Sequence, residues 1–166
     1  MASRLVVQRS LRNLGITRRL VLPLSAGLLT DPERYAEALD CFRQGNDEPI
    51  VSTFVLAAGA AIANASLLAE ELDSALEVWN EVITGRSDSS VWPLVEYCAS
   101  HLAITATLVA DDLGISDVAA QNAIDRFAAW GILNQNSDAK RNRIWLVSDV
   151  LDAVEAFMAR ARPASG

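Results

Sequence analysis

The chain of 166 residues is 51% hydrophobic but only 6% aromatic, so its apolar content is chiefly Ala, Leu and Val, which suits close-packed helices and disfavours a strand-rich fold. Its length is enough for a sizeable core and allows one domain or two small ones. A formal charge of −7 and a pI near 4.6 exclude a surface that is basic throughout, because neutralising phosphates requires Lys and Arg.

The first predicted helix runs from Arg4 to Leu14, with Val7, Leu11 and Leu14 at helical spacing and Gly15 as its stop. Its other face carries Arg4, Arg9 and Arg12, and residues 1–20 hold five Arg and no acid. The apolar run Leu5-Val6-Val7 is too short for a signal peptide, and no lipidation motif is present, so a cytoplasmic location is expected. Pro23 follows Val21-Leu22 in an extended connector, and Ser25 is placed to cap a short turn of helix through Leu29.

Asp31-Pro32 is a helix start, since the carboxylate can accept from free backbone N–H groups and Pro is tolerated where no donor is needed. Tyr35, Leu39 and Phe42 form the expected buried stripe, and Gly45 ends the helix. Asp47-Glu48-Pro49 repeats the start signal, and from Pro49 to Thr84 only Gly59 interrupts one long helix. Leu68, Leu72, Leu76, Trp79 and Ile83 form its stripe beside an acidic face of Glu70, Glu71, Asp73, Glu77 and Glu81. Residues 50–69 are twenty positions without a charge, which reaches membrane-spanning length. The run leans on Ala, contains Ser52, Thr53, Gly59, Asn64 and Ser66, and lacks flanking Lys or Arg, so a buried bundle helix and no membrane contact are expected. Cys41 and Cys98 are isolated, with no CxxC and no His at ligand spacing; two buried free thiols are expected, with no metal and no cofactor.

Gly85-Arg86-Ser87-Asp88-Ser89-Ser90 is a run of turn formers and the expected boundary between a helical segment, residues 1–86, and a second domain, residues 90–162. Ser90 caps a helix over 91–101 with Leu94, Tyr97 and Cys98 inward, and His101 closes it. Thr105 caps a short helix holding Leu108, Val109 and Leu113; Gly114 permits a sharp turn, and Ser116 caps a third helix to Trp130, buried through Ala120, Ile124 and Phe127. Gly131 leads into strand Ile132-Leu133-Asn134, Asn136-Ser137-Asp138 form a turn, and Ile144-Trp145-Leu146-Val147 return antiparallel. Asp149 then caps a last helix with Leu151, Val154 and Met158 inward. The expected fold is therefore mainly α: a helical bundle segment with one long helix, followed by a winged helix, that is, a helix-turn-helix plus a β-hairpin.

A winged helix serves DNA binding or protein contact. For DNA, Gln121 and Asn122 would pair with adenine edges, Arg126 would reach phosphate, and Lys140, Arg141 and Arg143 of the hairpin would grip the backbone. Against this, Asp117 and Asp125 share the third helix, and residues 91–166 hold six basic and nine acidic groups, a net of −3.

The run Arg18-Arg19-Leu20-Val21-Leu22-Pro23-Leu24-Ser25-Ala26-Gly27-Leu28-Leu29, then Tyr35, the long helix ending near Trp79, Gly131-Ile132-Leu133 and Arg141-Asn142-Arg143, resembles the C-terminal part of bacterial Fic (filamentation-induced-by-cAMP) proteins over nearly the whole chain. In that family this region follows a motif HxFx[DE]GNGRxxR, whose His is a base, whose acid holds a metal and whose Gly-Asn-Gly turn cradles phosphates during nucleotidyl (AMP) transfer. The resemblance places Ala2-Ser3-Arg4 on the motif's last residues, so Arg4 alone carries over, and here it reads as a solvated helix-face charge. Ala119 and Asn122 depart from the Thr and Arg that members often show, which weakens an inherited DNA-binding role.

His101, the sole histidine, has no Ser, Asp or second His placed to make it a base. The leading expectation is thus a non-catalytic Fic-like region in which a winged helix regulates or targets by macromolecular contact. A small winged-helix DNA-binding regulator is the competing expectation, and nucleotidyl transfer is a third, dependent on a motif supplied by a full-length protein. Apolar residues 5–29 are expected to pack on the long helix or to join another copy or a protein partner.

Overall fold

A computed structural model of the chain describes residues 9–10, 12–13, 15, 23–83, 91–136 and 143–162. The predicted N-terminal helix is described only at its second half, where residues 9–10 and 12–13 are helical and Gly15, at φ +72°, donates to the Arg12 carbonyl. Val7, Leu11 and Leu14, the boundary run 85–90, the turn residues 137–138, Lys140, Arg141 and Arg4 lie outside the described residues. The rest is mainly helical: α1 Leu24–Leu29, α2 Pro32–Arg43, α3 Glu48–Val82, α4 Val91–Ala99, β1 Ala103–Ile104, α5 Ala106–Leu113, α6 Asp117–Ala129, β2 Leu133–Gln135, β3 Trp145–Val147 and α7 Ser148–Arg160. The chain divides into two compact units, residues 1–67 with 157–166, and residues 68–156.

In the first unit small residues let helices approach closely. Ala38 of α2 and Ala57 and Ala61 of α3 are buried, and Gly27 of α1 lies against the backbone of Ala57 so tightly that a Cβ there would meet the Ala57 carbonyl group. Asp31 caps α2 as its sequence requires, accepting from Arg34 N–H at 3.0 Å with Pro32 at the first helical position. Ser25 caps nothing: it lies inside α1, which starts after Pro23 without a side-chain cap. Tyr35 and Leu39 are half-buried, Tyr35 meeting Phe54 edge-on at 6.1 Å, but Phe42 is 55% exposed because Ala38, one turn back, takes the tight contact. Asn64, buried on α3, donates Nδ2–H to the Phe157 carbonyl at 3.0 Å and accepts from Arg160 Nε–H at 2.6 Å, so both ends of its amide are satisfied.

The uncharged run 50–69 predicts burial all round, and the long helix is not so buried. Its inward ridge is narrow, formed by Thr53, Ala57, Ala61 and Asn64, while Val51, Val55, Leu56, Ile62 and Leu67 are exposed. Among the described residues α3 is the one helix long and apolar enough to cross a membrane; its most apolar window has a mean hydropathy of 1.8 and is 17% buried. Periodicity predicts which face is buried but not how wide the neighbour is, and here the neighbours are alanines and a glycine.

The second unit holds the larger core, built from Trp79 of α3, Leu94 and Cys98 of α4, Val109 of α5, Ile124 and Phe127 of α6, and Leu133 and Val147 of the sheet. Leu72, Leu76 and Ile83 pack on it, in keeping with the stripe. The sheet has the order β1-β3-β2 with both pairs antiparallel, Ile104 opposite Trp145 and Leu133 opposite Val147. β1 has no counterpart among the predicted elements, since two residues carry no readable alternation. Thr105 and Ser116 each accept at 3.2 Å from the N–H three residues on, Leu108 and Ala119 respectively, and Gly114 at φ +64° makes the left-handed turn between α5 and α6. Removing either hydroxyl as Thr105→Ala or Ser116→Ala is expected to cost about 1 kcal/mol, seen as a lower urea midpoint at unchanged slope.

Four further expectations are corrected. Leu108 faces outward at 49% exposure, since Val109 and Ala110 occupy the inward side of α5. α7 begins at Ser148, so Asp149 lies within its first turn, where it accepts from Trp79 Nε1–H at 2.5 Å instead of capping. The buried stripe of α7 is Val150 and Ala153, with Leu151 and Val154 half-buried and Met158 exposed. Cys41, expected to be buried, is half-exposed; Cys98 is buried and its thiol is pushed up to about 12 by desolvation.

Candidate functional site

In α6, Ala120, Ile124 and Phe127 are buried at spacings of four and three, which turns Asp117, Val118, Asn122 and Asp125 to the outside. Thr105 enters α5 from extended backbone, φ −130° and ψ 158°, and Gly114 reverses the chain, so the start of α5 comes beside the outer side of α6. Together with Arg143, just before β3, they line an open concavity of about 830 Å³ formed by Thr105, Ala106, Thr107, Leu108, Gln121, Asp125 and Arg143.

The residues expected to touch nucleic acid fare unequally. Arg143 is exposed at the concavity, and Asn122 is exposed on α6. Gln121 is half-buried and donates Nε2–H to Asp125 Oδ1 at 2.8 Å, an i,i+4 pair on its own helix. Arg126 is half-buried, with its guanidinium 5.3 Å from the centre of the Trp130 ring, a cation–π arrangement at the end of the helix. Lys140 and Arg141 lie outside the described residues, as does Arg4. The share of the concavity taken by residues 105–108 escapes a reading of the sequence, because Thr105 signals only a cap and Leu108 reads as core.

The electrostatics of this face are mixed. Asp117 and Asp125 are exposed on α6, and Asp111 and Asp112 on α5, against Arg143. Val118 on α6 and Leu108 on α5 are exposed apolar side chains. A duplex laid along α6 would bring its phosphates to carboxylates.

Compared with known proteins, the chain matches no family model and no curated sequence.

Tyr97, Asp112 and His101 of this unit are tied into structure. Tyr97 is buried and donates its O–H to Asp112 Oδ2 at 2.7 Å; burial first, then Asp112, push the phenol up to about 12. His101 stacks on the Tyr97 ring at 4.0 Å between centres, and its Nδ1 lies 2.7 Å from the Tyr97 carbonyl oxygen. That oxygen can only accept, so Nδ1 carries a hydrogen. Among the described residues no three His, Cys, Asp or Glu side chains gather where they could hold a metal ion.

Proposed function

We propose that this chain is a non-catalytic region resembling the C-terminal part of Fic proteins, and that residues 90–162 form a winged helix that regulates or targets by contact with protein. The order helix, strand, helix, helix and a β2–β3 antiparallel pair supports the winged-helix reading. The single observation that carries the preference for protein is the outward face of α6. It offers the Asp117 and Asp125 carboxylates and the Val118 side chain, while Gln121 is held by Asp125 and Arg126 lies over Trp130. Such a face complements a partner segment that is basic with an apolar anchor. The setting is cytoplasmic, and nucleotidyl transfer would require a catalytic motif supplied by a full-length protein.

A second reading, a small DNA-binding regulator, is favoured by Arg143 sharing one concavity with Gln121. Fluorescence anisotropy with labelled duplex separates the two. The expected result is no binding that falls steeply with salt, even at about 50 mM. Binding with a steep salt slope that Arg143→Ala reduces would establish the regulator instead. Titration with ATP and magnesium is expected to be flat.

A further inference from the structure

The concavity beside α5 and α6 holds two opposite charges that do not meet. Asp125 and Arg143 both line it, yet they are not ion-paired with each other. The Asp125 carboxylate is held by Gln121 Nε2–H at 2.8 Å, one turn earlier on α6, and Arg143 comes from the segment just before β3. The start of α5 adds donors. Thr105 Oγ1 accepts from Leu108 N–H, which leaves its own hydrogen to offer, and the N–H groups of Ala106 and Thr107 in the first turn have no carbonyl of their helix to meet. Leu108, 49% exposed, supplies an apolar wall.

Ligands of a single sign fit this arrangement poorly. A phosphate chain suits Arg143 and the α5 donors but meets the Asp125 carboxylate; a purely cationic segment suits Asp125 but meets Arg143. A free amino acid carries both signs, but a volume of about 830 Å³ is that of a site for a drug-sized molecule, several times larger. A stretch of polypeptide with a Lys or Arg, an apolar residue and an Asp or Glu within a few positions answers each of these groups. Its cation reaches Asp125, its carboxylate reaches Arg143 and the α5 donors, and its apolar side chain lies on Leu108. Because the concavity is open, such a chain can run through it and continue at both ends.

We infer that this concavity binds an internal polypeptide segment of mixed charge, with one cationic, one apolar and one acidic side chain close together. The inference rests on the reading of residues 90–162 as a protein-contact module and names the segment which that module recognises.

Blocked tripeptides made of one Lys, one Leu and one Glu in every order are the probes, since acetyl and amide ends leave only the side-chain charges. Nitrogen–proton NMR spectra of the isotope-labelled full chain follow them up to ~10 mM. At least one order is expected to shift the Thr107 and Arg143 backbone signals and the Gln121 side-chain amide together and saturably. Asp125→Asn and Arg143→Gln should each weaken that peptide about two- to fivefold, the range of an exposed ion pair, as should norleucine for its Lys or Gln for its Glu. Both positions are exposed, so signals away from the concavity should stay in place. Peptides that never saturate, or a peptide that binds more tightly after Asp125→Asn, would overturn the inference. Saturable shifts confined to Asp117 and Val118 would overturn it too, while leaving protein contact by α6 in place. Salt-sensitive duplex binding that strengthens with Asp125→Asn would remove both.

Discussion

Replacing Trp79 by alanine is expected to lower the stability of the second unit by about 3–5 kcal/mol, the range for deleting a large buried aromatic side chain. Trp79 is 2% exposed, and its indole N–H donates to Asp149 at 2.5 Å. Two losses are therefore combined, and their sizes separate them. The hydrogen bond is to a carboxylate, worth roughly 1.5–3 kcal/mol when its partner is left dry, but Asp149 is exposed and water can take over. The cavity has no such substitute. Trp79→Phe keeps most of the apolar volume and removes the donor, so it should cost only about 1–2 kcal/mol. Urea unfolding monitored by far-UV circular dichroism measures both. Equal losses for the two variants would show that the hydrogen bond dominates.

The second large effect is expected at Gly27. A Cβ there would overlap the Ala57 carbonyl oxygen and lie 2.6 Å from its carbon. Both atoms belong to backbone, so no rotamer change relieves the overlap, and α1 must leave α3. Against this stands the helix preference for Ala over Gly, about 0.5–1 kcal/mol, which is smaller than the overpacking cost of about 1–3 kcal/mol or more. Gly27→Ala should therefore destabilise the first unit by roughly 2 kcal/mol, whereas Gly59→Ala, with open space around it, should stabilise the monomer by about 0.5–1 kcal/mol. Thermal unfolding of the two variants at low concentration gives opposite shifts. A shift of the same sign would show that the packing of α1 on α3 does not decide the outcome.

How much of the fold is legible in the sequence depends on how local each signal is. Asp31, Thr105 and Ser116 cap within three residues of themselves, so their helices can be read from one side-chain oxygen and the apolar pattern beyond it. Gly114 and Gly131 likewise mark their turns, at φ +64° and +80°. The inward faces of α5 and α7 depart from expectation at Leu108 and Met158 because both are bulky and apolar, yet the smaller Ala110 and Ala153 suit the close contacts. β1 depends wholly on a partner, β3, more than forty positions later, and leaves no local trace. At the candidate site, Gln121 and Asp125 stand in plain view at i,i+4 spacing, but taken singly one is a reader of bases and the other a repellent of phosphate. Treated as a pair, they describe a helix that has already satisfied its own donor.

The bonds on Asn64 reach across 93 and 96 positions, to Phe157 and Arg160. A ribosome adding roughly 5–20 residues per second needs roughly 5–20 seconds between making the amide and making its partners. For that interval the nascent helices α1 to α3 carry a polar group with no native neighbour, and only codons translated much later complete it. Birth order thus runs against the usual sequence in which the leading segment of a polypeptide matures first, and a chain stalled ahead of Phe157 would be released with its earlier portion still unlocked.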